Sequence, residues 1–288
     1  MVSLVKGLAL RLGLVVFGVT LCSFFALDQP VLRSVYLATA HFLTLLTHLN
    51  TILPSVLPFV WAAYWRSMLL LLGATVLGAL AGVPLGFLSA TRPHTLVGWL
   101  AGLLSYLGTL TPSFILGLLV MVFFVQYLGA WTGIQWIRIL PSPGLPDPRE
   151  IIAPTLTLAA RPVAFVAQVT AAHVRAELWA PYITTAQSKG LRRSRIVREH
   201  VWPNVAAPAL GALRSALLFS LSSLPVVEYI FGWRGVGYTL FQAVLRRQAV
   251  LAAALLATLG VTFMLLTTLT DLISLRLDPR AQLARGDS

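Results

Sequence analysis

The sequence predicts an all-α integral membrane protein with six transmembrane helices. Three observations carry that reading. Of 288 residues, 58% are hydrophobic and only 10% charged, with a mean hydropathy of +0.84, whereas a soluble domain carries about 25% charged residues. Apolar runs long enough to cross about 30 Å of hydrocarbon, roughly 20 residues each, recur along the chain. Between two of them stands one basic polar stretch, Tyr182 to Pro208, YITTAQSKGLRRSRIVREHVWPNVAAP, which a bilayer cannot hold.

The formal net charge of +12 would suggest nucleic acid in a soluble chain. Here it has a simpler origin, because basic residues flank membrane spans and hold the cytoplasmic loops inside. There is no soluble basic domain to bind nucleic acid. The single cysteine, Cys22, lies in an apolar run and has no partner for an internal disulfide.

Lys6 and Arg11 precede the first apolar run, Leu12 to Leu27. The run is long for the core of a signal peptide, and no small-x-small cleavage site follows it. Bulky Leu21 stands before Cys22, where a lipoprotein site wants a small residue. The run reads as span one, with the N-terminus in the cytoplasm. Residues 28–65 are interrupted by Asp28, Pro30, Arg33, Asn50, Pro54 and Pro58. Helical apolar spacing from Val35 to Leu49 suggests an amphipathic helix on the outer membrane surface. His41 and His48 share one face of it. They could hold a metal, but two imidazoles without a third ligand fit a surface helix with polar tips better.

Span two covers Ser67 to Ala90, followed by the turn Thr91-Arg92-Pro93-His94. Span three covers Leu96 to Leu128, longer than a crossing needs, so Pro112 marks a break or kink. Residues 129–150, with PSPGLPDPRE, form an external loop. Span four covers Ile151 to Val174. After the basic stretch come span five, Ala209 to Glu228, a glycine-rich external turn FGWRGVG, and span six, Ala249 to Ser274. Six spans put both termini on one side. Five of the 21 basic residues, Lys189, Arg192, Arg193, Arg195 and Arg198, lie in the 182–208 stretch and place it in the cytoplasm. The expected divisions are residues 1–66, the first span and the external segment; 67–281, the core; and 282–288, a cytoplasmic tail.

Little in the chain can do covalent chemistry. It has nine acidic residues, of which Glu228 and Asp271 lie at or within apolar runs. Arg161 stands inside span four, where a lone charge costs at least about 2.5–3.5 kcal/mol. It must face a watery cavity or a partner subunit, or pair with an acid; an interhelical ion pair and a place on a substrate path are both open. There is no phosphate loop of the G-x-x-x-x-G-K-[ST] type, no H-E-x-x-H and no G-x-S-x-G. The chain is not expected to be an enzyme.

The basic stretch can be read further. Ala186 and Gly190 are small and four apart, which suggests a flat helical face open to close approach. Gly190 can end a first helix in a left-handed conformation. Arg192 to His200 can form a second, stopped before Pro203. Helix, glycine corner, helix makes an elbow suited to docking.

These residues carry a resemblance. Tyr182, Thr185, Ala186, Lys189, Gly190 and Leu191, then Arg192, Arg193, His200, Asn204 and Pro208, resemble the EAA-type coupling motif of ABC importer permeases, in the dipeptide, oligopeptide and nickel branch. Val226, Val227, Glu228, Ile230, Phe231, Gly235 and Gly237 continue it, as do Asp271, Leu272, Leu277, Asp278, Pro279 and Arg280. Upstream, Gly82-Val83-Pro84-Leu85-Gly86 and Thr111-Pro112-Ser113-Phe114 fit as well. The likeness spans roughly residues 67 to 281. Departures are Pro181 where an acid is usual, Arg234 for a proline, Arg247-Gln248 for an Arg-Asp pair, and Gln168 and Ala171 at an end usually rich in arginine.

The resemblance implies the fold of a type I ABC importer permease in a prokaryotic inner membrane. It implies a second permease subunit, two ATP-binding subunits that hold the ATP and magnesium, and an extracytoplasmic binding protein, with no cofactor in this chain. The elbow, about residues 175–205, would couple to an ATP-binding subunit. Arg161, Glu228, Phe231, Arg234, Gly235 and Gly237 would stand on the path or its gate. Peptides are the default cargo of the branch; nickel, opines and glycans are carried by relatives. A membrane scaffold that uses the elbow for another partner is the alternative from a different class.

Overall fold

Without water at hand, a chain in lipid must satisfy each backbone N–H and C=O within its own segment, and helix does this. The computed structural model describes residues 49–123 and 148–277, and every regular element among them is helical. Span one, the surface helix expected from Val35 with His41 and His48, Cys22, residues 124–147 of the third span and its following loop, and the C-terminal segment from Asp278 lie outside the described residues.

Helix α1 runs Leu49–Thr91, 43 residues. It starts well before the expected Ser67 and passes through Pro58, Arg66 and Pro84 without a break. Helix α2, Leu96–Leu110, opens on Thr95, whose hydroxyl accepts from the Gly98 amide at 3.2 Å. The break or kink expected at Pro112 is present. There the chain bends by 113° into α3, Ser113–Val122. Proline lacks an N–H and pushes the preceding residue out of helical geometry, and Thr111 is extended, with φ −81° and ψ 122°.

A short 3₁₀ turn, Pro148–Ile151, leads into α4, Ile152–Leu178, which carries Pro162 inside it. Then come α5, Pro181–Ser188, α6, Arg193–Ile196, and a π-helical turn, Val197–Val201. The turn runs directly into α7, Trp202–Phe231. The stop expected before Pro203 is therefore absent, and the fifth span begins earlier than Ala209. A proline clashes with the carbonyl four residues before it. For Pro203 that carbonyl belongs to Glu199, which lies within the widened turn, and widening relieves the clash. Helix α8, Val236–Leu245, starts at the end of the glycine-rich turn FGWRGVG and fills a stretch before span six to which the sequence reading gives no element. Its ten residues span about 15 Å, too short to register as a crossing. Helix α9 runs Ala249–Leu277.

Among the described residues four helical runs are long and apolar enough to cross a membrane, or five if the bent α2–α3 pair counts as one. The remaining expected span, span one at Leu12–Leu27, lies outside the described residues.

The described residues form two compact units, 49–69 with 232–266 and 70–231 with 267–277. In the smaller one, Val60 and Ala63 of α1 pack with Val236 and Ala243 of α8 and with Ala252 and Leu255 of α9. In the larger one, α4 is central. Glycines of α1 lie against it at four-residue spacing: a Cβ on Gly78 would meet Pro162 Cβ at 3.0 Å, on Gly82 the Val163 carbonyl at 2.8 Å, and on Gly86 the Ala167 carbonyl at 2.5 Å. Gly108 of α2 meets Ala164 of α4 in the same way, at 2.7 Å. Small residues of this kind let membrane helices approach backbone to backbone.

Candidate functional site

The polar stretch folds as a packed elbow between α4 and α7. Its underside is apolar. Ile183, Ala186, Ile196, Val201 and Val205 are buried together with Ala90, Ala171 and Val174. Ala186 therefore faces this chain's own core. Gly190 lies beyond the end of α5, so the two small residues do not share an open helical face as the spacing suggests. Each is small for its own reason.

The glycine corner itself forms as expected. Gly190 has φ +76°. Its amide donates to the Gln187 carbonyl at 2.9 Å, and the Leu191 amide donates to Ala186 at 3.3 Å. This paired closure of a helix end is the Schellman motif. No atom lies within 4 Å of where a Gly190 side chain would begin. Around this bare turn, Thr185, Lys189, Arg192, Arg193 and Arg195 are all exposed, with Leu191 half-buried. Arg195 pairs with Glu199 one helical turn on, at 2.9 Å. Arg193 donates to the Thr91 carbonyl at 3.4 Å, the end of α1, where a cation complements the helix dipole.

On the outer side of the elbow, the Tyr182 hydroxyl donates to the Glu177 carboxylate. The Asn204 amide nitrogen reaches Glu177 Oε2 and the Tyr182 oxygen, both at 3.2 Å, and the His200 carbonyl at 3.1 Å. His200 also meets the Tyr182 ring edge-on, with centroids 6.5 Å apart. Burial first, and the bond to Glu177 next, push the Tyr182 phenol above its usual 10.0. It is a donor throughout the neutral range.

The expected path residues divide between the units. Glu228 and Phe231 are fully buried near the end of α7, in the larger one. Arg161 is half-buried on α4, with its guanidinium carbon 5.2 Å from the centre of the Phe219 ring. Phe219 in turn meets Phe165 edge-on at 5.5 Å. Among the described residues its partner is thus an aromatic face, a contact that a cation in low dielectric favours, and no carboxylate pairs with it.

Arg234, Gly235 and Gly237 belong to the smaller unit. Gly232 turns the chain with φ +64°. Trp233 Nε1 then donates to the Arg66 carbonyl at 3.2 Å, and Arg66 donates to the Arg234 carbonyl at 3.5 Å. Gly235 and Gly237 are buried at the start of α8, while Arg234 is exposed. The Val236 amide donates to Ser67 Oγ at 2.7 Å.

Sequence reasoning missed Glu177 and Ser67. Glu177 stands outside the motif, five residues before Tyr182, whereas the acid is sought at Pro181. Its signal is only that a carboxylate ends the helix leading into a tyrosine-bearing elbow. Ser67 caps an amide on a helix 169 residues away, which no local pattern reveals.

A cleft of about 320 Å³ lies in the larger unit, lined by Ser89, Ser105, Tyr106, Gln168 and Arg175 among others. Gln168 is held across it, donating to the Ser105 carbonyl at 2.8 Å and to Thr109 Oγ1 at 2.7 Å.

The chain is similar to several known proteins. It is 28% identical over 210 residues to the dipeptide transport system permease protein DppB of Lactococcus lactis, covering 73% of this chain and 66% of that one. It is also 28% identical to DppB of Bacillus subtilis, covering 73% and 65%. The oligopeptide transport system permease protein AppB of Bacillus subtilis is 25% identical, with 75% and 69% covered. The chain thus spans about two thirds of the length of these relatives. In fold it matches a chain of the MetNI methionine ABC transporter in its inward-facing conformation, with a TM-score of 0.59, 17% identity, and 77% of this chain and 97% of that one covered. It likewise matches an amino acid ABC transporter crystallised with histidines, with a TM-score of 0.60, 18% identity, and 78% and 96% covered. The architecture is that of a type I ABC importer permease, an integral inner-membrane protein. The family model described as binding-protein-dependent transport system inner membrane component matches residues 82–283, and the chain belongs to that family.

Proposed function

We propose that this chain is a permease subunit of an ATP-driven ABC importer and forms half of its translocation path. Its cargo is a small solute, most readily a di- or oligopeptide, delivered by an extracytoplasmic binding protein. A second permease subunit completes the path. Two ATP-binding subunits, which bind ATP and magnesium, move it. The elbow at 175–205 faces the cytoplasm and rests in one of them. Closure of those subunits on ATP tilts the spans and opens the path outward, and hydrolysis resets it, as in rigid-body alternating access. Both termini are cytoplasmic. Catalysis resides in the partners.

The observation that carries this reading is the form of the elbow. Its apolar underside is bound into this chain, while its tip is bare at Gly190 and ringed by Thr185, Lys189, Arg192 and Arg193, all exposed. A loop that only satisfied the positive-inside rule would need the cations but not the packed knob or the bare tip. The family match and the peptide-permease relatives support the same reading. Arg161, braced on Phe219, is the cation best suited to a place on the path.

The test is capture. The full chain, expressed with its sister permease and ATP-binding subunits, should retain the latter with Gly190→Ala and lose them with Gly190→Leu. Capture by Gly190→Leu at the wild-type level would defeat the docking reading. Because Ala186 is buried, a charge there would disturb the fold and is no probe of docking.

A further inference from the structure

Three segments meet at one carboxylate. Glu177 is at the end of α4, Tyr182 at the start of α5 and Asn204 at the start of α7. Tyr182 and Asn204 both donate to Glu177, and Asn204 also reaches the Tyr182 oxygen and the His200 carbonyl. The apolar core beneath, Ile183, Ala186, Ile196, Val201 and Val205, holds the elbow down but is non-directional. Apolar contacts resist separation better than sliding. Hydrogen bonds have preferred angles, and those to a charged acceptor are the stronger kind. Only residues 179–180 connect α4 to α5, so the elbow would pivot there if nothing fixed its angle.

We propose that Glu177 is a positioning residue that latches the elbow to both flanking helices through Tyr182 and Asn204. A push on the elbow then reaches α4 and α7 together instead of being spent at the pivot. The second part of the proposal rests on the docking reading above; the latch itself does not.

The experiment has two arms. In the first, the full chain in nanodiscs is followed by hydrogen exchange without any ATP-binding subunit. Tyr182→Phe and Glu177→Ala should each speed amide exchange across residues 183–189 by about tenfold, the order expected for loss of one or two such bonds. Exchange within residues 155–174 should not change. The double variant should exchange more slowly than the two single effects summed, since both substitutions remove the Tyr182–Glu177 bond that they share. Glu177→Gln, which keeps an acceptor oxygen, should recover much of the loss. Unchanged exchange in both single variants, or additive effects, overturns the latch. In the second arm, the assembled transporter is assayed for solute moved per ATP hydrolysed, which should fall severalfold in Glu177→Ala while subunit capture stays normal. Faster exchange with unaltered coupling overturns the transmission role. Failure of the wild-type chain to capture ATP-binding subunits would count against the docking reading instead, and the exchange rates of the first arm would still decide whether the latch exists.

Discussion

Helix α5 and helix α8 end in the same way, yet with opposite side chains at the critical position. At the end of α5 the Gly190 and Leu191 amides close on Gln187 and Ala186; at the end of α8 the Arg247 and Gln248 amides close on Val244 and Ala243, at 3.0 and 2.8 Å. Both corner residues are left-handed, Gly190 with φ +76° and Arg247 with φ 55°. A left-handed residue with a Cβ costs about 1–2 kcal/mol. The chain tolerates that cost at 247. Conformation alone therefore does not demand glycine at 190, and the empty space beyond Gly190 becomes the feature to explain. The proposed docking, in which a partner surface approaches the backbone closely, would account for it.

Some glycines of this chain serve space and others conformation, and Gly86 is of the first kind. A Cβ there would lie 2.5 Å from the Ala167 carbonyl and 2.7 Å from Thr170 Cβ. Both belong to a rigid helix that cannot give way locally. Gly86→Ala should therefore destabilise by about 3 kcal/mol, at the upper end of overpacking costs. Thermal unfolding in detergent should show it as a marked loss of folded protein. Gly211→Ala is the control. It is also helical, but nothing lies within 4 Å, so the same change should stabilise by roughly 0.5–1 kcal/mol. Equal effects at the two sites would undo the distinction on which the comparison rests.

That contrast also marks how much could be read in advance. Composition and run length suffice for a helical membrane chain, because lipid leaves the backbone few alternatives. The Gly190 corner is legible because its hydrogen bonds are local. Pro112 is legible as a break for the same reason. Pro203 is not, since its clash is relieved by a widened turn at 197–201 that no propensity encodes. Helix α8 escapes notice because a ten-residue, mostly apolar helix falls short of a crossing. Ala186 is misread because an exposed and an inward-facing alanine look identical until Ile196 and Val205 are folded beneath it. Glu177 is missed because its partners lie on two later helices, and Ser67 because its partner is 169 residues away.

At the corner itself, side-chain size separates the two explanations of Gly190. Gly190→Ala and Gly190→Leu carry the same backbone cost, about 1–2 kcal/mol, and neither side chain meets the rest of the chain at its Cβ. Their thermal stabilities should agree. Their capture of ATP-binding subunits should not: leucine should lose about tenfold in affinity, equivalent to about 1.4 kcal/mol, beyond any loss with alanine. If both variants dock equally well, conformation suffices to account for the glycine and the bare tip has no bearing on docking.

The smallest effect comes from repairing the other corner. Arg247→Gly removes left-handed strain of about 1–2 kcal/mol but gives the unfolded chain more freedom, an opposing term of about 0.4–1 kcal/mol. Arg247 is exposed, and its backbone bonds to Val244 and from Gln248 to Ala243 do not need its side chain. The variant should thus be more stable by roughly 0.5 kcal/mol, a rise of a few degrees or less in unfolding temperature, with capture of ATP-binding subunits unchanged. A loss of stability would mean that the guanidinium contributes more than the strain costs. In that case Arg247 would no longer be a measure of what a side chain costs at a left-handed corner, and the inference from Gly190 would have to rest on the alanine and leucine pair alone.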